Sequence, residues 1–312
     1  MHSGGLDGLL SGAGQRAGDY TPAWRRAVAW WDEITRCLVS INQGEKALRF
    51  HALHNGPTAF VLPNPWDTGS ARMLAGLGFQ ALATSSAASA CALGRRDGSL
   101  TRDEALAHAR LIVNATDLPV SADLESGFGD APEVVAQTIR LAGEAGLAGC
   151  TIEDTTGQPE KPLYDTGLAV ERIAAAAEAA RALGFPFMLT ARAHNFVFAN
   201  PSLDDTISRL QAFEKAGADV LFAPGLPDLA AVRAVCAAVS KPVNFMVGIK
   251  GKSFSVGDLA AAGVRRISLA TSLYRAAMTG LLDAVREVKD TGQFTFLDRC
   301  ATTLELNRLM GI

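Results

Sequence analysis

The stretch "LPVSADLESGFGDAPEVVAQTIRLAGEAGLAGCTIED", residues 118–154, decides the fold. A short apolar run ends in Asp123 and Glu125 and passes into a glycine-rich turn, and a helical stretch follows. That helix stops at "EAGLAG", where glycine suits the left-handed backbone that often follows a helix. A second apolar run, "AGCTIED", starts at once. The unit is strand, loop, helix, strand. Why two carboxylates should stand where a buried strand ends has two answers. They are loop acids beside a helix cap, or they gather for a cation or for acid–base work.

The unit recurs. Apolar runs read "TAFVLPNP", "FQALATSS", "LPVSAD", "AGCTIED", "FPFMLTAR", "ADVLFAPG", "KPVNFMVG" and "VRRISLAT", each followed by a helix candidate such as "LAVERIAAAAEAARALG". Eight strand–helix units in about 230 residues match a closed (β/α)8 barrel. An open doubly wound sheet would carry a phosphate-binding GxGxxG turn after its first strand. The turn here, "PNPWDTGSARM", has none.

Outside this repeat, residues 1–20 are glycine-rich and aperiodic and predict a poorly ordered tail. Residues 21–57 predict an N-terminal helical extension, because "TPAWRRAVAWWDEITRCLVSI" opens on Thr-Pro and spaces Trp24, Val28, Trp31 and Thr35 helically. Residues 58–312 hold the barrel and a tail, "FTFLDRCATTLELNRLMGI", apolar on one face, that seals the barrel or reaches a partner subunit.

The chain has 312 residues, 48% hydrophobic and 20% charged, with a formal charge of −3. This predicts a globular protein with a sizeable core and gives no electrostatic reason to expect nucleic acid. Neither a secretory signal nor an apolar membrane span is visible, so a cytoplasmic protein without a membrane partner is expected. The five cysteines, Cys37, Cys91, Cys150, Cys236 and Cys300, form no disulfide framework or CxxC pair and read as free core thiols of a reducing compartment.

In such a barrel, active sites form at the C-terminal ends of the strands. Those ends carry Trp66 and Asp67, Thr84, Ser85 and Ser86, Asp123 and Glu125, Glu153 and Asp154, Arg192, His194 and Asn195, Asn244, and Thr271 and Ser272. Asp97 lies in the loop after the second strand. Crowded carboxylates repel unless a cation joins them, and a hard divalent ion with oxygen ligands suits them. Arg192 would clamp a substrate carboxylate, or else form a structural ion pair with Glu153 or Asp154. His194 is a candidate general base or a packed histidine that orients a loop. Residues 155–165, "TTGQPEKPLYD", make a long connection of the kind that serves as a lid. "VGIKGKSFS" is a weak candidate phosphate cradle.

Six motifs in order, "NPWDTGSARML", "ALATSSAASACALGRRDG", "SADLESGFGD", "TIEDTTG", "TARAHNF" and "AGADVLFAPGLPD", resemble the isocitrate lyase/phosphoenolpyruvate mutase superfamily. Within it they resemble the phosphonomutase and oxaloacetate decarboxylase-like branch. The resemblance spans about residues 58–290. It implies a (β/α)8 barrel, a Mg²⁺ ion (Mn²⁺ being the other candidate), a small 2-oxo or 2-hydroxy carboxylate substrate and a pyruvate-enolate intermediate. It also implies a homodimer or homotetramer with helices swapped between barrels, which would employ the C-terminal tail. By the same resemblance Ser85 and Ser86 contact the substrate carboxylate, and Trp66, Asp97 and Asn244 are further candidates for substrate binding from their places on the rim and its loops. Asp97, Asp123 and Glu153 surround the metal, with Glu125 joining them. Arg192 binds substrate and, with Glu153 and His194, is expected to act in catalysis.

Two departures stand out. Relatives carry Asp-Ala-Asp at the end of strand three, where this chain has Ser121-Ala122-Asp123. The lid lacks both the cysteine-and-histidine run of the isocitrate-type lyases and the Lys-Thr-Asn-Ser run of the phosphonomutases. A carbon–carbon lyase is therefore expected. P–C bond chemistry and a barrel that has lost catalysis and only binds a carboxylate are the alternatives.

Overall fold

A computed structural model describes residues 41–198, 202–252 and 254–312. The expected N-terminal tail and the Trp24–Thr35 helix lie outside the described residues. Each of the eight apolar runs forms a strand: β1 (Phe60–Leu62), β2 (Leu82–Ala83), β3 (Val120–Asp123), β4 (Gly149–Glu153), β5 (Met188–Arg192), β6 (Val220–Phe222), β7 (Val243–Met246) and β8 (Arg266–Ser268). All paired neighbours run parallel, in the order β1-β8-β7-β6-β5-β4-β3-β2. The seam between β1 and β2 is held by the Ala83 N–H donating to Pro63 O at 3.0 Å. Asn64 reinforces the closure, since its Nδ2 donates to Thr84 O (2.9 Å) and its Oδ1 accepts from the Leu269 N–H (3.0 Å). One side chain thus ties β1 to both neighbours.

Alternation along each strand sends one face to the helices and the other to the barrel axis. Outward residues such as Leu82, Ile152, Leu189, Leu221 and Ile267 pack under the helices in the main core. The axis is stoppered at its N-terminal end by helix α1 (Gln43–Asn55), whose Ala47 and Phe50 bury against Phe60, Ala81, Ala148, Met188 and Val220. Asn42 starts α1 with a capping box to Glu45, and Gln43 Nε2 donates to the Gly143 and Leu147 carbonyls. The barrel is therefore apolar and closed at one end and polar at the other.

The outer ring includes α2 (Thr68–Gly76), α3 (Ser86–Ala92), α4 (Arg102–Val113), α5 (Pro132–Glu144) and α6 (Thr166–Arg181). The last long helix, α7 (Ser272–Thr291), has no buried residue and exposes Leu281, Leu282, Val285 and Val288. The terminal helix, α8 (Thr303–Met310), folds back on α2 of its own chain. Gly76 permits the approach, for a Cβ there would lie 2.0 Å from Leu309 O. The cysteines depart from the expected pattern. Cys150 is buried, but Cys91 and Cys300 are exposed, because both fall in helix-end or loop segments at the surface, and Cys37 lies outside the described residues. No described helix is long and apolar enough to cross a membrane.

Candidate functional site

The strand ends converge on a cavity of about 40 Å³ along the barrel axis, lined by Ser85, Ser121, Asp123, Arg192, Asn244 and Arg266 among others. Arg192 is its hub. Its Nη1 lies 3.0 Å from Glu153 Oε2 and 4.0 Å from Asp123 Oδ2, and its Nη2 donates to His194 Nε2 at 3.0 Å. The guanidinium also stands 5.1 Å from the centre of the Phe222 ring. The ion pair with Glu153 that the sequence offered as an alternative is thus present, and Arg192 still lines the cavity.

His194 is held from both sides. Its backbone N–H donates to Asp154 Oδ1 at 2.9 Å. Because Nε2 accepts from Arg192, the ring proton belongs on Nδ1, which lies 3.3 Å from Glu153 Oε2. An imidazole whose Nε2 lone pair is already engaged by Arg192 is a poor general base. Asp154 turns away from the cavity to pair with Arg209 Nη1 at 3.3 Å.

The stretch after β3 is shaped by a buried clamp. Arg172, 1% exposed, donates to the carbonyls of Ser126, Gly129 and Asp130, and its guanidinium lies 4.1 Å from the Tyr164 ring centre. Tyr164 in turn donates to Asp130 Oδ1 at 2.5 Å. The clamp bends the chain so that Glu125 adopts a left-handed φ of 51°, a conformation that costs a non-glycine residue energy and tends to occur at functional sites. Asp123 is fixed by N–H donors from Ser86 (3.3 Å) and Glu125 (3.3 Å).

The charges decide whether a metal fits. The Glu125 carboxyl is pushed up to about 7, first by burial and then by Asp123, Asp97 and Glu153. Asp123 is raised as well, burial outweighing the pull of Arg192. Glu153 goes the other way, since Arg192 and His194 overcome its burial and hold it at about 2. Asp123 at the cavity wall and Glu125 beyond it, with Asp97 acting on Glu125 from the neighbouring loop, are therefore short of positive charge, and a hard cation suits them. Among the described residues no three His, Cys, Asp or Glu groups stand close enough to cage an ion. The fit is that of Mg²⁺, which needs one or two carboxylates and keeps several waters.

The other expected residues are placed as follows. Ser85 lines the cavity and caps α3, with Ala88 N–H donating to its Oγ at 3.5 Å. Asn244 is buried, its Nδ2 donating to Ser268 Oγ (3.1 Å) and its Oδ1 accepting from Arg266 Nε (2.9 Å). Asp97 is exposed on its loop, and Trp66 stacks edge-on to Tyr274. His108 Nε2 donates to the Trp66 carbonyl at 2.9 Å, behind the rim. The expected lid is a small closed loop, with a Thr155–Leu163 bridge and the Thr156 N–H donating to Pro162 O at 3.0 Å. With His194, Glu153 and Phe198 it walls a second cavity of about 440 Å³, largely apolar through Gly157, Pro159 and Pro162. In the candidate phosphate cradle, Lys252 Nζ donates to the Gly225 carbonyl at 2.9 Å. Sequence reasoning passed over Arg266 and Asn64. The signal for Arg266 was available, since a cation inside the apolar run "VRRISLAT" sits at an inward position.

Comparison with known proteins bears on the fold and the family. Residues 50–289 match the family model for phosphoenolpyruvate phosphomutase. A solved structure from Burkholderia cenocepacia J2315, provisionally assigned as a lyase/mutase, is 50% identical, with a TM-score of 0.85 over 86% of this chain and 97% of that one. Oxaloacetate decarboxylase 2 of Pseudomonas fluorescens (strain Pf0-1) is 32% identical over 78% of this chain and 84% of its own length. The solved 2,3-dimethylmalate lyase, a member of the PEP mutase/isocitrate lyase superfamily, is 30% identical, with a TM-score of 0.76 over 85% of this chain and 94% of that one. Eight parallel strands in this order, a hub arginine among carboxylates at their ends and these likenesses place the chain in the phosphoenolpyruvate phosphomutase family of the isocitrate lyase/phosphoenolpyruvate mutase superfamily.

Proposed function

We propose that the protein is a lyase that cleaves a carbon–carbon bond in a small 2-oxo or 2-hydroxy dicarboxylate, with oxaloacetate decarboxylation as its simplest form. The observation that carries this reading is Arg192, which lines the cavity while Glu153, His194 and Phe222 fix its position. When the bond between carbon 3 and the departing carboxylate of a 2-oxo acid breaks, its electron pair moves toward the 2-oxo carbonyl and the oxygen of the resulting pyruvate enolate becomes negative. A guanidinium already in place stabilises that charge, and one such group is worth roughly 3–4 kcal/mol of barrier. A bound Mg²⁺ would be held by Asp123 and Glu125 with Asp97 nearby, and would supply Lewis-acid polarisation of the substrate oxygen.

Departure of CO₂ needs no base, which suits a site whose histidine is engaged by Arg192. Retro-aldol cleavage would need one. The absence of a Lys-Thr-Asn-Ser run from residues 155–165 weighs against P–C chemistry. The same reading makes this a cytoplasmic metabolic enzyme, with the exposed apolar stripe of α7 as the face where copies pair into a homodimer or homotetramer.

The test offers oxaloacetate, 2,3-dimethylmalate and phosphonopyruvate, each with MgCl₂, and follows pyruvate against the enzyme-free background. Release from oxaloacetate that falls at least 100-fold in Arg192→Gln is expected. Release from phosphonopyruvate alone, or from none of the three, overturns the reading.

A further inference from the structure

The pairing order begins at β1 and ends at β2, and no ladder joins those two strands among the described residues. The loops that leave them, residues 63–67 and 84–86, therefore lack the regular spacing that laddered neighbours impose on one another. Inside the barrel Asn64 crosses this seam to Thr84 O at 2.9 Å. Behind the rim a second crossing is made by His108, a residue of α4 that is 9% exposed. Its Nε2 donates to the Trp66 carbonyl at 2.9 Å, and its Nδ1 meets the Ser89 hydroxyl at 3.0 Å. Facing a carbonyl, Nε2 carries a proton, whereas the hydroxyl can give or take the second hydrogen bond. Both ring nitrogens are satisfied, as burial requires.

Ser89 carries the connection on to the cavity. Its hydroxyl lies 2.8 Å from the Ser85 carbonyl, which also accepts from the Ser89 N–H at 2.9 Å. That carbonyl and the Ser86 N–H belong to one planar peptide, so fixing the one aims the other in the opposite direction. The Ser86 N–H faces Asp123 Oδ2 at 3.3 Å, and Ser85 and Asp123 both line the central cavity. On the β3 side the turn is also held by the Asp123 N–H, which donates to Thr84 Oγ1 at 3.1 Å. On the β1 side the described side-chain hydrogen bonds across the seam are those of Asn64 and His108.

Resting on the lyase reading, and on the carboxylate contacts that the resemblance assigns to Ser85 and Ser86, we propose that His108 is a positioning residue for the substrate carboxylate. It latches the barrel seam from behind and sets two peptides at once, Trp66–Asp67 in the loop after β1 and Ser85–Ser86 in the loop after β2. The carboxylate then meets donors that are already aimed, and little ordering is left to be done on binding. His108 itself touches no substrate. Its loss should loosen the grip on the carboxylate and leave the bond-breaking step, which belongs to Arg192 on β5, nearly as fast.

The test is calorimetric titration of oxalate, a planar mimic of the pyruvate enolate, with MgCl₂ present, into wild type and four variants whose folding is established by melting curves. His108→Leu removes both links and should weaken oxalate at least tenfold. His108→Gln keeps a donor toward Trp66 and His108→Asn keeps a partner for Ser89, so each should fall between wild type and His108→Leu. Ser89→Ala cuts only the link to Ser85 and should resemble His108→Gln. If His108→Leu does not fold, the drop in Ser89→Ala decides. With oxaloacetate, His108→Leu should raise KM more than it lowers kcat, whereas a merely structural loss would shrink the active fraction and kcat with it. Equal oxalate affinity in wild type and the folded variants, no rescue by Gln or Asn, or no oxalate binding by wild type overturns the latch even if pyruvate release is intact. His108-dependent oxalate binding by a protein that releases no pyruvate would leave the latch standing and sink the lyase reading alone.

Discussion

Two of the described arginines, Arg192 and Arg266, face the inside of this barrel, and they are held in opposite ways. Arg192 at the mouth has Glu153 at 3.0 Å, Asp123 at 4.0 Å, a histidine lone pair and an aromatic face. Arg266 at the floor has one neutral amide and an unpartnered Nη1. The first is a member of a charge network and the second an open charge. The difference separates two uses of a buried cation. One is fixed in place by its charged partners, and the other has no charged partner among the described residues.

The contrast breaks if removal of either arginine has the same effect on stability. Arg192→Met leaves Glu153 and Asp123 buried without their cation, so denaturant unfolding should show a loss of about 3–5 kcal/mol. A pH titration sharpens it. His54 in α1 is buried and held down to about 3, first by burial and then by Arg266. The unfolded chain takes up that proton near the ordinary value of 6.5, before the folded one does. Stability is therefore complete above 6.5 and falls as pH drops toward 3, at a slope approaching about 1.4 kcal/mol per unit. His54→Leu should flatten that limb, and in Arg266→Met the His54 ring should titrate higher. Glu153 acts at lower pH. Held at about 2 when folded, it adds stability that is present above its ordinary value of 4.5 and is lost as pH falls through 2. Arg266→Met should gain on the order of 1 kcal/mol, since an unpaired buried charge is replaced by an apolar chain. A loss comparable with that of Arg192→Met would sink the distinction. The smallest effect is expected of Phe222→Leu, about 0.5–1 kcal/mol from the missing ring face, visible as a modestly raised KM.

Much of the architecture is legible in the sequence because it repeats. Eight apolar runs separated by helices leave one topology, even where β2 is only two residues long. The acids at Asp123, Glu125 and Glu153 are legible for the same reason, since strand ends in a barrel share one rim. What the sequence does not show is who neutralises whom. The partners of Arg192 come from β3, β4 and the segment after β5, and no local pattern predicts that His194 would spend its lone pair on it. Arg266 is harder still, because its character lies in what does not surround it. Arg172, too, reads as an ordinary helix residue, yet it shapes the acid-bearing turn from across the α5–α6 layer.

The stopper helix has a consequence for how the chain is made. Helix α1 leads the described chain, but the residues that cover its Phe50 and Ala47 belong to strands running through β6. A ribosome delivers them only after most of the barrel has been synthesised. Until then the nascent chain carries an uncovered apolar stripe near its leading end, and the barrel cannot shut its lower end strand by strand. Closure is a late, long-range event, and a chain arrested before β6 is the species most in need of a chaperone.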